Sequence, residues 1–140
     1  MLTSQLIHPE ILSALASAGH GARVLIADGN YPFSTGAPAA ARRVFLNLRP
    51  GLVAVTDALS AVLTAIPVET ALVMKPADGS EPEIHRVMRD LLPRDTAFQT
   101  RGRFEFYEEA RSPDTTLVIA TGEQRVYANI LLVIGVVKPR

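Results

Sequence analysis

The sequence has no cysteine, which excludes disulfides, thiolate nucleophiles and thiolate metal sites together and suits a cytoplasmic chain. It has no excess of charge: 14 basic residues offset 14 acidic ones, so nothing favours capture of nucleic acid or of an anionic membrane surface. Long apolar runs are missing too. The longest, Ile130 to Val137, is interrupted by Gly135 and falls well short of the roughly 20 residues that span a bilayer. Met1-Leu2-Thr3-Ser4-Gln5 carries no basic region ahead of a long apolar core, so no secretory leader is expected. There is no G-x-G-x-x-G, P-loop or G-x-S-x-G pattern, and no His/Asp/Glu cluster at metal-ligand spacing. A soluble protein without metal or cofactor is expected, its chemistry drawn from three histidines, carboxylates, Tyr, Arg and neutral polar groups.

What is present suffices for one globular domain over residues 1–140, with 48% hydrophobic residues to fill its core. The organising stretch runs from Ala18 to Pro32. Gly19-His20-Gly21 is a turn, Val24 to Ala27 reads as a short buried strand, and Asp28-Gly29 is the turn where that strand stops. Before it, His8-Pro9-Glu10 opens a helix with Ile11, Leu12, Leu15 and Ala18 on one face and Gly19 closing it. Phe33 to Ala41 is a loop, and Val44 to Leu46 a short strand. Thr56-Asp57 starts a helix striped by Ala58, Leu59, Val62, Leu63 and Ile66 and stopped by Pro67. Thr70 to Met74 is a second buried strand. Ser80-Glu81-Pro82-Glu83 matches a capping box ahead of a helix with Ile84, Val87, Met88 and Leu91 on its apolar face. Arg101 to Arg111 fits helix better than strand, because Glu, Ala and Arg dominate its second half. Thr116 to Ala120 and Ile130 to Val137 complete the strands. Helices alternating with short buried strands predict a three-layer α/β/α domain with a mostly parallel central sheet.

His20 is the first candidate for chemistry, since imidazole titrates near neutral pH and can act as acid and base in one cycle. Position alone leaves it equally well a solvated turn residue. His8 reads as a helix cap, and His85 as a structural residue on a helix whose polar side faces water. Asp28 ends a buried strand, where open α/β sheets place ligand groups; an Asp-Gly turn is the plainer reading. At about 3.3 Å per residue, positions 20 and 28 could lie over 20 Å apart. One pocket containing both needs the His20 turn to fold back, or needs one group from another subunit. Tyr127-Ala128-Asn129 precedes the last strand and offers a stacking face, a donor and an acceptor suited to a polyhydroxylated ligand. Arg103 begins the aromatic-rich helix, where its fork could hold oxygen atoms or simply be solvated.

Taken in order, His8-Pro9-Glu10-Ile11-Leu12, Gly19-His20-Gly21, Ala27-Asp28-x-Asn30-Tyr31-Pro32, Arg103-Phe104-Glu105-Phe106-Tyr107-Glu108, and Thr121-Gly122-Glu123 followed by Tyr127-x-Asn129 resemble the family of fucose mutarotases and ribose pyranases, from Leu6 to Val137. The resemblance implies a cofactor-independent isomerase that interconverts α and β anomers of a free monosaccharide. It places His20 as proton donor and Asp28, Arg103, Tyr127, Ala128 and Asn129 at the substrate. The Arg-Phe-x-Phe-Tyr-Glu run resembles the L-fucose branch, whereas ribose-directed members typically carry histidine near position 103. It also implies a ring-shaped homo-oligomer, often a decamer, with pockets near subunit contacts. Ala128 stands where Gly is common, and Leu48-Arg49-Pro50-Gly51 replaces a more usual Arg-Ala-Asp-Gly. The competing readings are a D-ribose pyranase and a non-catalytic sugar-binding or regulatory module.

Overall fold

Val24 to Ala27, the buried run of the organising stretch, forms most of β1 (Arg23–Ala27) near the middle of a six-stranded sheet. The computed structural model describes residues 1–140. The other strands are β2 (Arg42–Phe45), β3 (Val68–Met74), β4 (Ala97–Arg101), β5 (Thr115–Ala120) and β6 (Ile130–Ile134). The helices are α1 (Pro9–Ala18), α2 (Val55–Leu63), α3 (Glu83–Leu91) and α4 (Arg103–Ala110). The sheet order is β2-β5-β1-β6-β3-β4. The pairs β2–β5, β5–β1 and β3–β4 are parallel, and β6 is antiparallel to both neighbours. Every strand except β6 therefore points the same way, as the expected mostly parallel α/β sheet requires.

Strand periodicity divides the core in two. Val24 and Ile26 face α1, α2 and α3, with Leu117, Ile119, Ile130 and Leu132 beside them. Leu25 and Ala27 face the other way, towards Phe106 and Ala110 of α4 and towards Tyr31, Ala37 and Ala41 of the long loop. The outer layers are thus unequal: three helices on one face, one helix and a loop on the other. α4 is tied down at its far end, where the Glu109 carboxylate accepts from Arg23 at 2.6 Å and from Arg101 at 3.4 Å.

Local signals explain most boundaries. His8 Nδ1 accepts from the Ile11 amide at 3.4 Å, and Pro9 occupies the first helical position of α1. β6 ends at Ile134, and one further bond, from the Gly135 amide to the Pro67 carbonyl at 2.9 Å, lies just ahead of β3. The Ser80–Glu83 capping box does not form. The Ser80 hydroxyl and amide both donate to Asp78, at 2.7 and 2.9 Å, and α3 starts behind Pro82 without a side-chain cap. α3 is also rotated from the expected stripe. Ile84, His85 and Met88 are buried, whereas Val87 and Leu91 are partly exposed, so His85 lies inward and not beside the water-facing side. β4 was not expected at all. It is an edge strand with no fully buried residue, hence without an apolar run to announce it.

Behind β5, the Thr121 hydroxyl donates to the Ala27 carbonyl at 2.7 Å. A side chain on Gly122 would run into the Leu52 and Arg49 carbonyls, so glycine is required there. Next to it, buried Glu123 accepts from the Val55 amide at the start of α2 and from the Arg125 guanidinium at 2.8 and 2.9 Å. The Arg125 hydrogen bonds pull its carboxyl from the ordinary 4.5 down to about 2. A carboxylate held low in the fold stabilises it above its unfolded value and loses that contribution as pH falls through the folded one. Urea midpoints followed by circular dichroism should therefore decline between about 4.5 and about 2. Glu123→Gln should lower neutral-pH stability by about 1–3 kcal/mol and flatten that decline; an unchanged acid slope would refute the role.

Candidate functional site

The carboxyl ends of the parallel strands enclose a cleft of about 490 Å³, the edge at which open α/β sheets hold ligands. β1 delivers Asp28 with Asn30 and Tyr31, β3 ends there in Met74, and α4 contributes Arg103 and Tyr107. Because β6 runs against its neighbours, its entry segment reaches the same edge and adds Val126, Tyr127 and Asn129.

Asp28 is only 4% exposed. Its amide donates to Asn129 Oδ1 at 2.8 Å, while Asn129 Nδ2 donates to Asp28 Oδ2 at 3.2 Å. The Asn30 amide donates to Oδ1 at 2.9 Å, closing a turn. Burial pushes the Asp28 carboxyl above its ordinary value, and the surrounding donors only partly offset this. Asp28 is thus an acceptor of raised basicity, a useful property in a group that receives hydroxyl protons.

The opposite wall is aromatic and apolar. Tyr31 meets Tyr107 at 5.7 Å between ring centroids and Phe106 edge-on at 6.4 Å. Its hydroxyl donates to the Gly36 carbonyl at 2.7 Å, and burial holds the phenol far above its ordinary value. A Cβ on Gly36 would strike the Tyr31 ring. The Arg103 and Arg111 guanidinium groups lie 5.9 and 5.6 Å from the Tyr107 ring centroid. Arg103 is exposed at the mouth of the cleft, its fork free to meet a ligand oxygen.

The structure brings Asp28, Arg103, Tyr127 and Asn129 together at one cleft. Ala128 stands apart: its methyl is fully buried in the larger core cluster, and it reaches the site only through its amide beside Asp28. His20 is not brought there. It precedes β1 while Asp28 follows it, its turn does not fold back, and its Nε2 lies 3.1 Å from Glu69 on the surface. Five strand residues at about 3.3 Å each keep the two some 16 Å apart or more. Sequence reasoning did not single out Asn30, Tyr31, Met74, Tyr107 or Val126 as lining residues. Asn30, Tyr31 and Tyr107 sit inside the motifs that carried the resemblance, and Met74 ends a strand, so position gave the signal for four of them. Arg49 and Pro50 of the divergent loop line a second, polar cleft of about 390 Å³ that shares Asn30 with the first. No group of three or more His, Cys, Asp or Glu side chains is placed to hold a metal ion, and no helix is long and apolar enough to cross a membrane.

The model of the RbsD / FucU transport protein family matches residues 1–137. The chain is 36% identical to a D-ribose pyranase of Paracidovorax citrulli, over 97% of this chain and 98% of that one. It is 33% identical to a fucose mutarotase of Bos taurus, over 96% and 92%. Among solved structures, Bacillus subtilis RbsD complexed with D-ribose superposes with a TM-score of 0.84 at 26% identity, covering 99% and 100%. The fucose mutarotase of Streptococcus pneumoniae in complex with L-fucose superposes at 0.77 and 27% identity, covering 94% and 95%.

Replacing Asn129 by Leu would leave the buried Asp28 amide without its acceptor and remove the Nδ2 donor to Oδ2. The expected loss is about 2–4 kcal/mol of stability, read by chemical denaturation. A variant within about 0.5 kcal/mol of the parent would show that the pair does not hold the cleft together.

Proposed function

The chain belongs to the RbsD / FucU transport protein family, and from that premise we propose that it is a cofactor-independent mutarotase acting on a free monosaccharide, L-fucose in preference to D-ribose. One observation carries the reading: a cleft with a buried, basic carboxylate and an amide on one side and an apolar, aromatic wall on the other. A sugar ring presents hydroxyls to the first and C–H faces to the second. L-Fucose also carries a methyl group, for which Met74, Val126 and Tyr107 offer an apolar surface that ribose would leave unfilled. The exposed Arg103, in the motif resembling the fucose branch, favours the same choice.

The reaction needs two proton movements. A base removes the anomeric hydroxyl proton while an acid protonates the ring oxygen, the C1–ring oxygen bond breaks, and the aldehyde rotates about its C1–C2 bond. Reclosure on the other face reverses both transfers, so atoms and electrons balance without a redox partner. Positioned acid–base groups contribute about 10²–10⁴-fold each to such steps. Asp28, Asn129, Tyr127 and Arg103 hold hydroxyls, and His20 is the proton donor. Since His20 lies at the opposite end of β1 from Asp28, it serves this cleft only from a second copy of the chain. The proposal therefore includes a homo-oligomer, and the family resemblance makes it a ring-shaped decamer working on cytoplasmic sugar.

Magnetisation exchange between anomers tests the reaction, with L-fucose and D-ribose compared at equal concentration. Faster exchange for fucose is expected. A ribose preference would make the chain a pyranase, and binding without accelerated exchange would make it a sugar-binding module. His20→Ala should slow exchange by about 10²–10⁴-fold. Co-assembling equal amounts of inactive His20→Ala and Asp28→Asn chains should restore about a quarter of the sites, because each site draws one residue from each of two copies. No recovery on mixing would overturn the shared site.

A further inference from the structure

We propose that His85, which does not itself line the cleft, is the positioning residue for its Tyr127 wall: the imidazole holds the Tyr127 main-chain carbonyl and thereby fixes how Tyr127 and Asn129 face the ligand. His85 lies on the inner face of α3 between Ile84 and Met88, and it is 2% exposed. A polar ring in such a position costs stability unless it is partnered. Its Nε2 lies 3.0 Å from the Tyr127 carbonyl oxygen. A carbonyl can only accept, so Nε2 carries the proton and donates.

The partner explains why this bond matters. Tyr127 has φ of +61° and is the only residue other than glycine with positive φ in the chain. A side-chain-bearing residue stays in that region only where its surroundings hold it. Three restraints converge on this short segment. The Asn129–Asp28 pair fixes it on one side, the buried Ala128 methyl anchors its middle, and His85 fixes Tyr127 from beneath. With His85 removed, Tyr127 is free to relax towards negative φ, which swings its ring out of the cleft and moves Val126 with it. Substrate held by a misaligned wall is bound less well in ground state and transition state alike, so KM changes more than kcat.

This inference rests on the cleft being the sugar site, and the test separates the two. His85→Leu fills the same apolar space without a donor, whereas His85→Gln returns an N–H donor at similar reach. For L-fucose exchange, His85→Leu should raise KM by about ten-fold, the scale of one buried hydrogen bond, and change kcat by less than about three-fold. His85→Gln should recover most of the loss. In amide NMR spectra, Tyr127 and Asn129 resonances should shift in the Leu variant and return towards wild type in the Gln variant. Equal kinetics for both variants and wild type, or unmoved Tyr127 and Asn129 resonances, would overturn the proposal. So would a wild-type His85 protonated on Nδ1 rather than Nε2, which nitrogen-15 spectra read without any substitution. If the wild type neither binds nor exchanges any sugar, the functional reading fails while the amide and tautomer readouts still decide the role of His85.

Discussion

The hydrogen bonds between Asp28 and Asn129 join residues 101 positions apart in the chain, and the cleft depends on them. β1 and β6 pair with Ile26 opposite Ile130. Continued outward, that register places Ala27 opposite Asn129 and Asp28 opposite Ala128. The ladder therefore does not simply end. At the sheet edge the Asn129 amide takes the Asp28 N–H that another strand carbonyl would have taken, and its own N–H₂ group returns a bond to the carboxylate. A side chain replaces one rung, and in doing so turns a strand terminus into a polar corner. Neither residue could play this part without the other, because each would bury an unpartnered group.

The single reversed strand gives that corner its surroundings. In a wholly parallel sheet, only strand exits and helix entries reach the carboxyl edge. With β6 inverted between β1 and β3, an entry segment arrives there as well, bringing Val126, Tyr127 and Asn129 beside Asp28 and Met74. The thin outer layer matters equally. Only α4 and the long loop cover that face of the sheet, so the Tyr31–Tyr107 pair is close enough to form a wall while the cleft stays open to solvent.

Much of this was legible in the sequence wherever a local cause acts alone. The buried run of β1, the His8-Pro9 start of α1, the Thr56-Asp57 start of α2 and the Asp28 turn all carry their own signals, and each appears within a residue or so of its expected place, although α2 ends at Leu63, short of the expected Ile66. The illegible parts are those set by distant partners or by competition between neighbouring polar groups. β4 pairs along an edge with polar residues and shows no periodicity. The capping box lost Ser80 to Asp78, a competitor two residues away that offers both a turn and an acceptor. His85 looked like a water-facing residue because nothing in α3 indicates a carbonyl 42 positions further on. The candidate site was readable as a set of residues, through family resemblance, but not as a geometry. Only the separation of His20 from Asp28 along the extended β1 was legible in advance, because strand rise sets it.

That separation combines with where the fold places its unfavourable features. Asp28 is a carboxyl raised by burial, and Tyr127 is a bulky residue held at positive φ; each costs stability by itself. The carboxylates with favourable surroundings lie elsewhere. Glu123 is held low by Arg125 at the start of α2, and Arg23 and Arg101 outweigh the burial of Glu109 on α4. A chain under selection for stability alone has a simple remedy at Tyr127, where glycine takes positive φ without strain. Local rules broken together, in one cleft, with dedicated supports on either side, are what a functional site looks like in physical terms. His20 breaks no rule in its own surroundings: it is an exposed imidazole beside an exposed Glu69. The proton-donor role proposed for His20 therefore needs a surface that one chain does not supply, and on that proposal the contact between copies is a component of the site rather than an ornament of assembly.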